Sequence, residues 1–236
     1  MKRLSNPVCG PTPKAAYGAP APIRNRILAA LLLCLLPVTQ ALAEEITLLA
    51  FGDSLTQGYG LPEQDGFVPQ LERWLEEEAG QGEVTVINGG VSGDTTAGGK
   101  ARIAWSLTEE IDAVYVNLGA NDMLRGMDPA ATRANMEAII AEIAARGLPL
   151  MITHVPSASN YGPDYKAEFD AIFPALAEAS GAVYHPNFLS GLGVADLQSA
   201  QPWMQGDGIH PNAEGVALIV ADIGPRVAEV LQQVAK

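Results

Sequence analysis

Five short apolar runs, each ending at or beside a glycine, asparagine or histidine, constrain this chain most. They are ITLLAF (46–51), VTVIN (84–88), AVYVNLG (113–119), LPLMITHV (148–155) and GAVYH (181–185). Strands that are apolar at consecutive positions must be buried on both faces, which is the setting of a parallel sheet covered by helices. The segments between them carry helical period. In 65–79, Phe67, Val68, Leu71, Trp74 and Leu75 share one face, with Asp65 as the expected cap. In 128–146, Asp128-Pro129 reads as a cap followed by proline at the first helical position, Met136, Ile139, Ile140 and Ile143 form the apolar stripe, and Gly147 ends it. The last segment, from about Asn212, carries Val216, Ile219, Val220 and Ile223, and Pro225 is predicted to break or kink it. Strand and helix alternating in this order predict one α/β domain with a doubly wound parallel sheet and helices on both faces.

The N-terminus reads as a separate element. Residues 1–43 hold five basic residues and no acidic one, and end in ILAALLLCLLPV (27–38) before an Ala41-x-Ala43 pattern. A charged start, a short apolar run and small residues at the end are the marks of a secretory signal peptide. The run is shorter than the roughly 20 residues of a membrane-spanning helix. The charged part is long for a leader, and a start codon downstream of Met1 would fit the same reading. Cleavage after Ala43 leaves residues 44–236 as the mature domain, in the periplasm or secreted, with no stable membrane insertion expected.

Both cysteines, Cys9 and Cys34, leave with that leader, so no disulfide, thiol nucleophile or thiolate metal site is expected. Removing its five positive charges from a formal net charge of −13 leaves −18. Such a surface repels nucleic acid and anionic bilayers. Three scattered histidines without carboxylates at ligand spacing predict no metal site.

In doubly wound sheets ligands bind beyond the carboxyl ends of the strands. Polar residues stand at three such ends: Gly52-Asp53-Ser54, NGGVSGDTT (88–96) and Gly119-Ala120-Asn121-Asp122. A fourth group, WMQGDGIHPN (203–212), precedes the last helix. Acyl transfer needs a nucleophile, a base to take its proton and a group to hold that base. Ser54, His210 and Asp207 can supply them. The oxyanion of the intermediate needs fixed donors, for which Ser54 and Gly93 offer backbone N–H groups and Asn121 a side-chain amide. Singly, each has a plain structural reading as cap, turn or left-handed glycine. Four in one order favour catalysis.

These blocks resemble the SGNH (GDSL) hydrolases: Gly52-Asp53-Ser54-Leu55, Gly93, Gly119-x-Asn121-Asp122 and Asp207-x-x-His210. SGDT, NDMLRG, PSASNYGPDY and WMQGDGIHPN further resemble its secreted bacterial arylesterase, thioesterase I and lysophospholipase L1 group. The resemblance spans the mature chain. It implies a flavodoxin-like three-layer α/β/α sandwich with a five-stranded parallel sheet and a cofactor-free acyl-enzyme on Ser54. His210 would act as base, with Asp207 orienting it. Ser54, Gly93 and Asn121 would form the oxyanion hole. Ala120 stands where some relatives carry glycine, which adds only a methyl group.

Segment 155–169 is expected to set specificity; in the resembled group the matching loop borders the acyl-chain groove and moves on substrate binding. Candidate substrate contacts are Asp53, Met123, His154, Pro156, Asn160 and Tyr161, with Leu124, Trp203 and Met204 as further apolar wall. Asp53 and Asp94 also read as caps, Asp122 as structural, and His154 as a hydrogen-bonded histidine of the crevice wall, with the same reading for His185 at the end of the last strand. The expected substrate is a small-molecule ester or thioester of a medium or long acyl chain, lysophospholipids among them. The alternatives are a carbohydrate O-acetylesterase and a non-catalytic exported binding protein on the same fold.

Overall fold

The computed structural model describes residues 45–77, 79–80, 83–194 and 199–234, with Gly10 and Gly18 in addition. The rest of the expected leader, and its cleavage point, lie outside the described residues. Five strands, β1 (Ile46–Gly52), β2 (Val84–Gly90), β3 (Ala113–Asn117), β4 (Leu150–Thr153) and β5 (Val183–His185), pair in parallel in the order 2-1-3-4-5. The α-helices of the described residues are α1 (Ser54–Gln57), α2 (Phe67–Glu77), α3 (Thr96–Ser106), α4 (Ala120–Leu124), α5 (Pro129–Ala144), α6 (Pro163–Asp170), α7 (Ile172–Ser180) and α8 (Ala213–Leu231).

The unbroken apolarity of the strand runs has a direct cause. In β1, Leu48 and Ala50 enter one core with Phe67 and Leu71 of α2 and Ile219 and Ile223 of α8. Leu49 and Phe51 enter a second core with Ile103 of α3, Ile139 and Ile143 of α5 and Phe173 of α7. Successive side chains point to opposite faces, so both must be apolar when both faces are covered. The result is the expected three-layer α/β/α arrangement.

Element boundaries follow from local chemistry, and several depart from expectation. Asp128 caps α5 by accepting Ala130 N–H at 2.9 Å. Asp65 does not cap α2: it ends a 3₁₀ turn (Glu63–Asp65), and α2 begins at Phe67. Pro225 does not break α8, which runs from Ala213 to Leu231. Proline in a helix interior costs about 3 kcal/mol, but Ile223 before it and Val227, Val230 and Leu231 after it are fully buried. Each buried aliphatic side chain contributes about 1.5–3 kcal/mol, so core packing holds both halves in line. Finally, β5 starts at Val183 rather than 181, because Gly181 caps α7 and Ala182 N–H bonds back to Ala177 O at 3.0 Å.

Strand order decides where a site can form. The chain leaves β1 for β2 on one side and returns to β3 on the other. The connections after β1 and β3 therefore diverge, and a crevice opens between their carboxyl ends.

Candidate active site

Ser54 stands at that switch point because β1 turns into α1 almost without a loop. Only glycine permits the turn at position 52: a Cβ there would lie 2.1 Å from Thr56 Oγ1 and 2.5 Å from Asn117 O. Asp53 then caps α1, its Oδ1 accepting Leu55 N–H at 3.0 Å. Ser54 Oγ lies 2.9 Å from His210 Nε2, and His210 Nδ1 lies 2.6 Å from Asp207 Oδ2. The other Asp207 oxygen accepts the N–H groups of Ile209 (2.9 Å) and His210 (3.0 Å). The His210 ring and these backbone donors hold the Asp207 carboxyl down at about 2. Asp207 is therefore a fixed anion that favours the proton on Nδ1, leaving Nε2 as the acceptor facing Ser54.

The loop carrying Asp207 and His210 is braced from both ends. Gln205 N–H donates to His210 O and Asn212 N–H to Trp203 O, both at 2.8 Å. The Gln205 amide reaches Tyr59 O (2.8 Å) and Pro211 O (2.9 Å), tying this loop to the one after α1. The Tyr59 ring lies 4.7 Å from the His210 ring.

Gly93 and Asn121 join Ser54 around one crevice. Gly93 has φ +78, a region that L side chains rarely adopt. Its carbonyl accepts from Arg125 Nη2 at 2.9 Å. Behind it, Arg102 reaches Asp94 Oδ2 (2.7 Å), Gly89 O (2.8 Å) and Gly52 O (2.8 Å), and lies 3.8 Å over the Phe51 ring. One buried guanidinium thus ties the ends of β1 and β2 to the turn that carries Gly93. Asn121 sits in the first turn of α4 beside Asp122, which is fully buried and accepts from Thr96 N–H (2.9 Å), Thr96 Oγ1 and Thr132 Oγ1. The Asn121 amide also approaches Asp53 Oδ2 at 3.4 Å. Burial pushes the Asp53 carboxyl up to about 6.

The crevice has a volume of about 410 Å³. Leu55, Tyr59, Met123, Leu124, Val155, Leu189 and Ile209 supply its apolar wall around Ser54 and His210. A second cavity of about 530 Å³ shares Met123, Leu124, Val155 and Leu189 with it and extends past Pro156, Asn160, Leu192 and Val194. Of the candidate substrate contacts, Asp53 and Met123 line the first cavity, and Met123, Pro156 and Asn160 line the second.

Other candidates do not. His154 is 3 % exposed, with its ring stacked on Phe173 at 4.3 Å, and burial lowers its pKa to about 4. It is packed beneath the crevice wall because the strand-end side chain points into the second core. Tyr161 lines neither cavity, although its hydroxyl donates at 3.0 Å to the carbonyl of Leu124, which lines both. Trp203 and Met204 pack into the α2–α8 core. Asp94 serves Arg102 more than a helix cap, since Thr95 caps α3. His185 faces Asp222 at 3.2 Å.

With this geometry in view, the relatives are informative. Residues 50–218 match the GDSL-like Lipase/Acylhydrolase family. The esterase TesA of Pseudomonas aeruginosa is 35 % identical over 200 residues, covering 84 % of this chain and 96 % of TesA. The chain belongs to this family. Thioesterase 1/protease 1/lysophospholipase L1 of Escherichia coli K12 is 33 % identical over 191 residues, covering 80 % of this chain and 86 % of that one. The crystal structure of TesA superimposes with a TM-score of 0.70 at 34 % identity, covering 78 % of this chain and 99 % of that one.

For this GDSL-family chain, sequence reasoning missed Arg102, Gln205 and Tyr59. Arg102 had a signal, as a lone arginine in a weakly amphipathic segment following NGGVSGDTT. Gln205 lay inside a motif whose other polar residues drew the attention. Tyr59 had no signal, because its part depends on a residue about 150 positions away.

Proposed function

We propose that the chain is a serine esterase that cleaves carboxylic esters and thioesters of medium or long acyl chains through an acyl-enzyme on Ser54. Aryl esters, acyl-CoA and lysophospholipids fall within that class, in keeping with the names of its relatives. The carrying observation is the unbroken hydrogen-bonded line Asp207–His210–Ser54 at the mouth of an apolar crevice.

Ser54 Oγ attacks the substrate carbonyl carbon while its proton passes to His210 Nε2. The oxyanion accepts hydrogen bonds from the N–H groups of Ser54 and Gly93 and from the Asn121 amide. Collapse breaks the bond to the alcohol or thiol, which takes the proton from His210. A water activated by the same ring then releases the acid and restores Ser54. Residues 1–43 act as the secretory leader, so the enzyme works in the periplasm or outside the cell on acyl compounds found there.

The test is p-nitrophenol release from C2 to C16 esters by residues 44–236, with Ser54→Ala alongside. Activity peaking at C6–C12 and lost in the variant is the expected result. Activity at C2 alone indicates an O-acetylesterase, and none above the variant's background indicates a binding protein.

A further inference from the structure

The loop that walls the second cavity is pinned at three places. At its root, His154 O accepts Phe188 N–H at 2.8 Å and the ring is locked on Phe173. At its far end, Tyr161 is tied to Leu124 O. Between them, both backbone groups of Ser157 are gripped by one pair of side chains. Ser157 N–H donates to Asp170 Oδ1 at 2.6 Å, and Ser157 C=O accepts from Lys166 Nζ. Lys166 Nζ also reaches Asp170 Oδ2 at 2.7 Å.

An exposed lysine–carboxylate pair one helical turn apart usually contributes little. This one differs because its charges end on the two backbone groups of a residue that is only 3 % exposed. Hydrogen bonds with an ionised partner are roughly twice as strong as neutral ones. The base of the clamp is also firm. Both residues stand on α6, whose Phe169 is fully buried, and Ile172 and Phe173 follow in the same core. Pro156–Asn160 line the second cavity, and so does Lys166 itself.

We propose that the Lys166–Asp170 pair is a specificity-determining clamp that holds Pro156–Asn160 in one position, so that the second cavity stands preformed for the distal part of an acyl chain. This rests on the esterase reading of the Ser54 site. The resemblance noted above implies a matching loop that moves on substrate binding; here the clamp keeps the wall in place before the substrate arrives. A wall that needs no ordering on binding lowers KM for chains long enough to touch it. Acetyl esters, whose carbon chain ends in the first crevice, gain nothing from it.

Asp170 lies outside both cavities, which makes it the residue to change. In Asp170→Ala, KM for C8–C12 p-nitrophenyl esters rises about tenfold with kcat little changed, while C2 and C4 stay within about twofold. Asp170→Asn keeps an acceptor for Ser157 N–H but loses the counter-charge of Lys166, and falls between. Melting curves establish that each variant is folded, and if Asp170→Ala is not, the same comparison on Asp170→Asn decides. A folded variant whose chain-length profile runs parallel to wild type overturns the clamp alone. A wild type that cleaves only acetyl esters, or none, overturns the acyl reading and the clamp with it.

Discussion

Replacing Arg102 by Met tests how the turn that carries Gly93 is held. Three acceptors lose a donor, but not equally. Gly52 O keeps Val91 N–H at 3.0 Å, whereas Gly89 O and one Asp94 oxygen lose their Arg102 bonds. Gly89 is only half-buried, so stranding its carbonyl costs the low end of about 1–3 kcal/mol, and removing one member of a buried ion pair about 3–5 kcal/mol. The two figures overlap, because a single side chain serves both groups. The pair is also 11 % and 12 % exposed, so some water reaches Asp94. Methionine retains part of the packing on Phe51. A net loss of about 3 kcal/mol follows. In urea, with a slope on the order of 2 kcal/mol/M for a domain this size, the midpoint falls by about 1.5 M. Because Asp94 follows Gly93 directly, kcat falls as well, while KM changes little. Arg102→Lys restores part of the stability but not the forked contact to three acceptors. A midpoint within about 0.3 M of wild type, together with unchanged kcat, refutes the reasoning.

Two further outcomes are expected. Asn121→Ala lowers kcat about 10²–10³-fold with little change in KM; an unchanged turnover number on p-nitrophenyl esters removes Asn121 from the proposed oxyanion hole. Asp53 bears on pH. Burial raises its carboxyl from 3.8 to about 6, so the folded state holds this proton more tightly than the unfolded chain. Stability from this group therefore falls as pH rises from about 4 to about 6, and the loss is complete above that window. Asp53→Asn, whose amide oxygen can still accept Leu55 N–H, gains on the order of 2 kcal/mol over wild type at pH 7.5 relative to pH 4. Chemical denaturation of both proteins at the two pH values measures this, and a difference that does not grow with pH contradicts it.

Much of this molecule was legible in one dimension because its signals are local. A strand covered on both faces has to be apolar at every position, so the runs at 46–51 and 113–119 announced a parallel sheet. Asp128-Pro129 announced a helix start because capping involves groups only two residues apart. Asp207 and His210 were readable together for the same reason: three residues separate them in one turn. Where expectation failed, a distant contact had overruled a local preference. Pro225 stays in a helix because residues on both sides of it are buried against α2 and the sheet. His154 ends a strand on the expected side but is drawn under Phe173.

Period, caps and ordered motifs in the sequence determined the layers and the polar residues at the strand ends, since each is set by neighbours a few positions apart. Only the tertiary structure decided how those residues are held. Arg102 joins the ends of two strands to the Gly93 turn, Gln205 ties the His210 loop to Tyr59, and Lys166 with Asp170 grips Ser157. The physical reason is that a charged or amide side chain can satisfy whichever complementary backbone donor or acceptor lies within reach. Which group that will be depends on chain crossings that no local pattern encodes.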